Sequence, residues 1–372
     1  MRIVMICYPT HGGSGVVATE LGIELAKRGH QVHFISYSAP FRLQGFQQNV
    51  YYHEVDISNY PLFKYPPYDL SLATKILEVV QEYEIDIIHA HYAIPHAMSA
   101  YLARQMMSQK RPRIITTLHG TDITLVGKDA SFFKAVKFSI DMSDGVTAVS
   151  NYLAEKTRKD FNIERDIRVI YNFVDTKRFN GQITDCNVHF FVPNNEKIII
   201  HASNFRAVKR LDDIIRIFAL VRKQVPTRLI MVGEGPERQT SHALSVELGV
   251  HNEVHYLGTQ DYMENLLGCA DIFLLPSTEE SFGLAALEAM SCRTAVIATQ
   301  VGGVPEVVDH NENGFLHPVG DVEGMAQNAV KLLLNPDLER FKESARQKAI
   351  SHFDTQLIVP QYEKYYFEIL NS

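Results

Sequence analysis

Residues 279–292 read EESFGLAALEAMSC, which sets Glu280 and Glu288 at the two ends of an otherwise apolar run. Paired carboxylates can act as the acid and nucleophile of a retaining glycosidase, but that chemistry needs them about 5 Å apart. Eight residues of helix rise about 12 Å, so the spacing favours two separate ligands for hydroxyl groups. A buried carboxylate without a partner is costly. Glu288 therefore needs either a structural partner or a ligand-filled cleft.

Two further segments point to an anionic ligand. HASNFRAVKRLDDI places Arg206, Lys209 and Arg210 within five positions, after a strand-like run and before a helix-like one. Such a cluster is either a solvated charged face or one wall of a diphosphate site. YPTHGGSGVVATELG follows the first strand-like run, and Gly13, Gly15 and Ala18 match the dinucleotide pattern G-x-G-x-x-[GA]. The acid that would hold an NAD ribose about 20 residues on is missing, since no Asp or Glu occurs from Phe34 to Arg42. NAD is thus disfavoured. Gly12, Gly13 and Ser14 remain as backbone donors at a helix start, against the alternative of a ligand-free tight turn.

In TTLHGTD, His119 can hydrogen-bond a sugar or orient a reacting group, or be a core histidine satisfied by backbone. HAHYAIPH carries His89, His91 and His96, and His89 and His91 lie within a strand-like run, where packed or solvated histidines are at least as good a reading as metal ligands. No D-x-D pair stands in an obvious loop, and no metal site is predicted.

The elements that must position these residues alternate. Apolar runs such as RIVMICY, QVHFISY, IDIIHAHY, RIITTLHG and DGVTAVS, then KIIIHASNF, RLIMVGEG, EVHYLGT, IFLLPS and TAVIAT, are separated by helix-like stretches. This pattern predicts α/β organisation with parallel sheets covered on both faces. Around residues 172–197 the alternation gives way to polar, turn-forming sequence. Two doubly wound Rossmann-like domains are expected, 1–172 and 173–355, facing a central cleft with their strand-end loops. Residues 356–372 form an aromatic C-terminal helix expected to pack at the domain interface and cross back to the N-terminal domain.

The totals agree with a folded protein: 372 residues, 46% hydrophobic and 21% charged, with a formal net charge of −7. That charge argues against nucleic acid as a partner. Cys7, Cys186, Cys269 and Cys292 show no C-x-x-C spacing, so neither a disulfide framework nor a zinc ribbon is expected, and a cytoplasmic location fits. MRIVMICY lacks the features of a secretory leader, and no run of 18 uncharged apolar residues suggests a transmembrane segment. The oligomeric state is not legible, and a homo-oligomer is compatible with all of this.

Taken in order, the glycine loop, HGTD, the Arg206/Lys209 segment, VGEGP at 232–236, Glu280 and Glu288, and VGGVPEVV at 301–308 resemble the retaining GT-B glycosyltransferases of family 4. CYPTHGGSGVVATELG, FKYPPYDLSLA, HAHYAIPHA, TTLHGTDIT, YNFVD and SNFRAVKR are similar to the branch of that family acting in bacillithiol biosynthesis. That resemblance implies UDP-N-acetylglucosamine as donor, L-malate as acceptor, an α-linked product and no cofactor or metal. It implies catalytic roles for His119, Arg206, Lys209 and Glu280. Glu280 would bind sugar hydroxyls and Glu288 the ribose diol, with Ser281, Phe282 and Gly283 also at the donor. Arg206 and Lys209 would meet the diphosphate, opposed by Gly12, Gly13 and Ser14. Asn204 stands where the family commonly has arginine, and Arg206 is the substitute.

For a dicarboxylate acceptor the strand-end loops make Ser14, Tyr92, Thr117 and Asn151 available, of which two are expected to make contact. The competing readings are a UDP-sugar epimerase, a family 4 enzyme with another small acceptor, and a non-catalytic nucleotide-sugar sensor.

Overall fold

The computed structural model describes residues 1–10, 12–57, 61–108, 111–182, 192 and 196–372. Much of the polar segment that ends the first run of alternation, Cys186 included, lies outside them. The chain divides into one unit of Met1–Asn172 with Gln356–Ser372 and a second of Phe173–Thr355.

The first unit is built on β1 (Arg2–Ile6), β2 (Gln31–Ser36), β3 (Val50–Glu54), β4 (Ile87–His91), β5 (Arg113–Leu118), β6 (Gly145–Ala148) and β7 (Arg168–Val169), in the order β3-β2-β1-β4-β5-β6-β7. The second holds β8 (Lys197–Ala202), β9 (Thr227–Val232), β10 (Val254–Gly258), β11 (Ile272–Leu275), β12 (Ala295–Thr299) and β13 (Gly314–His317), in the order β10-β9-β8-β11-β12-β13. Every pairing is parallel. The central strands are buried along nearly their whole length, which is why they read as continuous apolar runs.

Three strands escaped the apolar-run reading, and all are edge or near-edge strands. β3 alternates exposed and half-buried residues, β7 has two residues, and β13 has four.

The helix Gly13–Lys27 buries Val16, Val17, Ala18, Leu21, Ile23 and Leu25 against the sheet. Gly22 permits close helix–strand packing, because a Cβ there would lie 2.3 Å from the Phe34 ring. Gly29 follows the helix end with φ of +91°, the left-handed position that glycine takes without penalty.

The C-terminal helix Thr355–Asn371 is largely part of the first unit. Tyr362 and Tyr366 are fully buried. The Tyr365 hydroxyl accepts a hydrogen bond from the Val146 N–H on β6 at 3.0 Å, and the Tyr366 hydroxyl lies 2.6 Å from Nδ1 of His89 on β4. Glu363 reaches His30 at 2.7 Å. Among the described residues no helix is long and apolar enough to cross a membrane. Cys269 is disulfide-bonded, which the spacing of the cysteines did not lead one to expect. Cys7 and Cys292 are free and buried.

Replacing Tyr366 by Ala removes a fully buried aromatic side chain and the hydroxyl that His89 meets. A loss of about 3–5 kcal/mol in unfolding free energy is expected, read from urea denaturation against the wild type. A loss below about 1 kcal/mol would mean that the helix does not hold the sheet it covers.

Candidate active site

Strand order reverses beside β1 in one unit and beside β8 in the other. In a doubly wound sheet, ligands bind outside the carboxyl ends of the strands at such a reversal. The loops after β1 and β4, and after β8 and β11, are therefore the places to look.

In the first unit, the loop after β1 enters its helix through Gly12 with no side-chain cap and no acid in the first turn, so the first N–H groups lack the usual side-chain partners. Gly15 is required there, since a Cβ would fall 2.5 Å from the Tyr8 carbonyl oxygen. The Tyr92 hydroxyl donates to Ser14 Oγ at 2.8 Å, which ties the loop after β4 to the glycine loop. Tyr92 has φ of +97°, a strained value for a side chain of that size. It is held by its own N–H, which donates to the Thr117 carbonyl at 3.0 Å, and by that of Ala93, which donates to Asp122 Oδ2 at 3.1 Å.

Asp122 was not singled out from the sequence, yet it organises this edge. Its carboxylate is buried and also accepts from Gly120 N–H at 3.0 Å and His119 N–H at 3.3 Å. Burial pushes its carboxyl up from 3.8 to about 6, a rise that the N–H donors oppose. The one signal in the sequence is an Asp two residues after Gly120, a spacing at which carboxylates fold back on backbone N–H groups.

His119 is half-buried, with Nε2 2.8 Å from Nδ1 of His91. Burial pushes the His119 and His89 imidazoles down to about 3 and that of His96 to about 4. His91, packed against His89, His119 and His96, is held well below its ordinary value, chiefly by burial. His89 lies on β4 between Tyr366 and the Thr117 hydroxyl, the latter at 2.6 Å.

That last contact corrects one expectation. Thr117 is fully buried, and its hydroxyl is shared between His89 and, at 2.7 Å, Thr147. The side chain belongs to the interior, and only its carbonyl serves this edge, by holding Tyr92. Asn151 is exposed at the first turn of the helix Asn151–Phe161, donating to the Tyr171 hydroxyl at 2.7 Å.

In the second unit, Lys209 Nζ lies 2.6 Å from Glu280 Oε1, which also accepts from Ser277 Oγ at 2.8 Å. Both charged side chains are mostly buried. The loops carrying them are stitched by backbone, Thr278 N–H to the Val208 carbonyl at 2.8 Å and Gly303 N–H to the Glu280 carbonyl at 3.0 Å. Gly303 sits so close to this loop that a Cβ would meet the Ser281 carbonyl oxygen at 2.4 Å. Arg210 is committed to Asp213 at 2.5 Å, while Asn204 and Arg206 are exposed. His201 fixes the floor, bonding the Leu274 carbonyl at 2.8 Å and Ser203 Oγ at 2.7 Å.

Gly283 has φ of +95° and begins the helix Leu284–Ser291, on which Glu288 is half-buried among buried apolar neighbours. The Phe282 ring is buried, edge-on to Phe353 at 5.6 Å. A ligand would therefore meet residue 282 through its backbone and not its ring. Ser277 and His201 were missed in the sequence because a serine or histidine near a strand end carries no distinguishing pattern.

Asp122→Ala strands three backbone N–H groups, at about 1–3 kcal/mol for each that is left buried, and should cost several kcal/mol in urea denaturation. The pH dependence runs the other way from Asp122 alone. Neutral folded histidines face unfolded ones that protonate near 6.5, so their stabilisation is complete above that pH and is lost as pH falls towards 4. Each of His89, His91 and His96 contributes a slope of up to about 1.4 kcal/mol per pH unit. Asp122, raised in the fold, offsets about one of these between pH 6 and 4. Unfolding free energy should fall between pH 6.5 and 5, and a flat or rising profile would contradict neutral burial.

Residues 11–178 match the family described as Glycosyltransferase Family 4, and residues 188–348 match Glycosyl transferases group 1. The chain is 46% identical over 374 residues to N-acetyl-alpha-D-glucosaminyl L-malate synthase of Bacillus anthracis, covering 100% of this chain and 98% of that one. A glycosyltransferase from Rickettsia africae superposes with a TM-score of 0.83 at 25% identity, covering 99% of this chain and 98% of its own. Sucrose-phosphate synthase from Thermosynechococcus elongatus shares the fold, with a TM-score of 0.82 at 22% identity over 100% of this chain and 99% of its own. This chain belongs to the family 4 glycosyltransferases and has their GT-B fold.

Proposed function

We propose that this enzyme transfers N-acetylglucosamine from UDP-N-acetylglucosamine to the hydroxyl of L-malate with retention at the anomeric carbon, as the first step of bacillithiol biosynthesis in the cytoplasm. The observation that carries the reading is the 46% identity, over the whole chain, to a relative whose name states both the sugar and the acceptor.

The second unit suits the donor. Lys209 brings a cation beside a carboxylate at the β8/β11 reversal, which matches a ligand that carries a diphosphate next to sugar hydroxyls. In this reading Lys209 and the exposed Arg206 neutralise the diphosphate, with Asn204 beside them. Glu280 binds sugar hydroxyls, Glu288 the ribose diol, and residues 281–283 line the donor through backbone. In the first unit, the uncapped N–H groups at Gly12, Gly13 and Ser14 suit an anionic group in their own right. Because these groups meet the charge, the reading assigns no cofactor and no metal.

Tyr92, Ser14 and Asn151 supply the hydroxyl and amide donors that a dicarboxylate needs. The malate hydroxyl attacks the anomeric carbon on the face from which the diphosphate departs. The bond to malate oxygen forms as the bond to phosphate oxygen breaks, and the hydroxyl proton passes to that phosphate oxygen, giving UDP and the α-glycoside.

A UDP-release assay across UDP-sugars and hydroxy acids, with product mass, should single out UDP-N-acetylglucosamine with L-malate. Preference for another acceptor would leave a family 4 enzyme of different specificity. An epimerised sugar formed from donor alone would indicate isomerase chemistry, and donor binding without turnover of any acceptor a sensor. Lys209→Ala and Glu288→Ala each remove a charged hydrogen-bond partner worth about 1.5–3 kcal/mol, so UDP should bind at least about tenfold more weakly by calorimetry. Unchanged affinity in a folded Glu288→Ala variant would remove the ribose assignment.

A further inference from the structure

We propose that Met5 and His91 together fix His119 as its Nε2–H tautomer, so that His119 presents a bare Nδ1 and can only accept a hydrogen bond from a ligand. The inference deepens the reading above and rests on it in one respect, that His119 lies beside the reacting groups.

The argument starts from a sulfur. His91 is fully buried at the end of β4, and its Nε2 lies 3.0 Å from Met5 Sδ on β1. A thioether has no hydrogen to give and only weak acceptor capacity. Two bare lone pairs facing each other at that distance would repel, so Nε2 of His91 carries the hydrogen. A second proton on the ring would place a charge among His89, His96 and His119, away from water. His91 is therefore neutral, and its Nδ1 is a lone pair. That lone pair faces Nε2 of His119 at 2.8 Å, so the proton between the two rings belongs to His119. With Nε2 protonated and the imidazole neutral, Nδ1 of His119 is left as an acceptor. No hydrogen bond joins that atom to any described residue.

The surroundings hold this relay in place without competing for its protons. His96 donates from Nδ1 to the carbonyl oxygen of His91. Asp122 accepts from the His119 and Gly120 N–H groups and not from the ring. The planes of the His91 and His119 rings are inclined by only 27°, with centroids 5.0 Å apart, as a bond between their edges requires. Met5 and His91 touch no ligand in this scheme. They are positioning residues, and the chemistry they select is a hydroxyl donor on the sugar or the acceptor.

Two-bond proton–nitrogen correlation spectra of ¹⁵N-labelled full-length protein at pH 7 test the assignment, with the His119 signals identified by their loss in His119→Gln. The expected pattern is a protonated Nε2 and an unprotonated Nδ1 for both His91 and His119. A His119 protonated at Nδ1, or at both nitrogens, overturns the proposal. Met5→Leu conserves volume, which such swaps tolerate well, and removes the acceptor. It should give mixed tautomers at His119 and a several-fold lower kcat, with the donor KM within about twofold of wild type. A His119 that stays wholly in the Nε2–H form in Met5→Leu overturns the role of Met5. Should that variant fail to fold, the wild-type spectrum alone decides the tautomer. The spectra need no substrate, so failure of the malate reading leaves them informative.

Discussion

The reversal of strand order beside β1 and beside β8 is the constraint from which the rest follows. At each reversal two neighbouring parallel strands send their following loops to opposite sides, and the backbone there leaves room that no side chain of the sheet fills. Polar residues just beyond a strand end can meet a ligand, whereas the same residue types a little earlier lie within the strand and are buried. His119 and Thr117 show the difference. They are two residues apart at the end of β5, one half-buried beyond the strand and the other sealed within it.

The two units handle buried polarity in different ways. The first meets its buried carboxylate, Asp122, with backbone N–H groups and keeps its buried histidines neutral. His89 and His91 on β4, and His96 in the turn that follows it, are buried as uncharged rings, each both donor and acceptor, and so can satisfy neighbours without bringing charge out of water. The second unit keeps a charge pair. Lys209 and Glu280 stabilise one another at the β8/β11 reversal, and Ser277 holds the carboxylate oxygen they share. Removing either partner would leave the other mostly buried and uncompensated. A ligand with both anionic and hydroxyl groups can take over each half of the pair, and this complementarity is what a nucleotide-sugar offers.

How much of this was legible follows from how local each signal is. Ten strands could be read from apolar runs, and in nine of them burial on both faces leaves a continuous pattern in sequence, the tenth being the half-buried edge strand β10. β3, β7 and β13 could not: β3 is half-exposed along its length, β7 has two residues, and the four residues of β13, GFLH, begin with glycine and end with histidine. The glycine loop and the basic segment were visible because their residue types are unusual at a strand-to-helix junction. Thr117 looked available because a threonine at the end of an apolar strand looks the same whether its hydroxyl points inward or outward. The disulfide at Cys269 left no mark in the cysteine spacing, and the Asp122 bond that ties the β5 edge to β4 reaches Ala93, 29 positions away, which no short window of sequence contains.

Asp122 also shows why the most consequential polar residue need not touch a ligand. Tyr92 adopts a positive φ that a residue of its size takes only at a cost of about 1–3 kcal/mol, and His119 leaves its strand through Gly120, whose φ is +117°. Glycine takes its positive φ without penalty, whereas the Tyr92 conformation would not persist on its own. One carboxylate accepts from Ala93, His119 and Gly120 together, and hydrogen bonds to a charged acceptor are worth about 1.5–3 kcal/mol each. Their sum exceeds the strain, so the loops after β4 and β5 are locked to one another. Burial raises the carboxyl towards about 6, which means that the lock relies on those N–H groups to keep it ionised. The position of Tyr92, and with it the Ser14 hydroxyl it bonds, is thus set by a charge that the fold desolvates and then satisfies entirely with backbone.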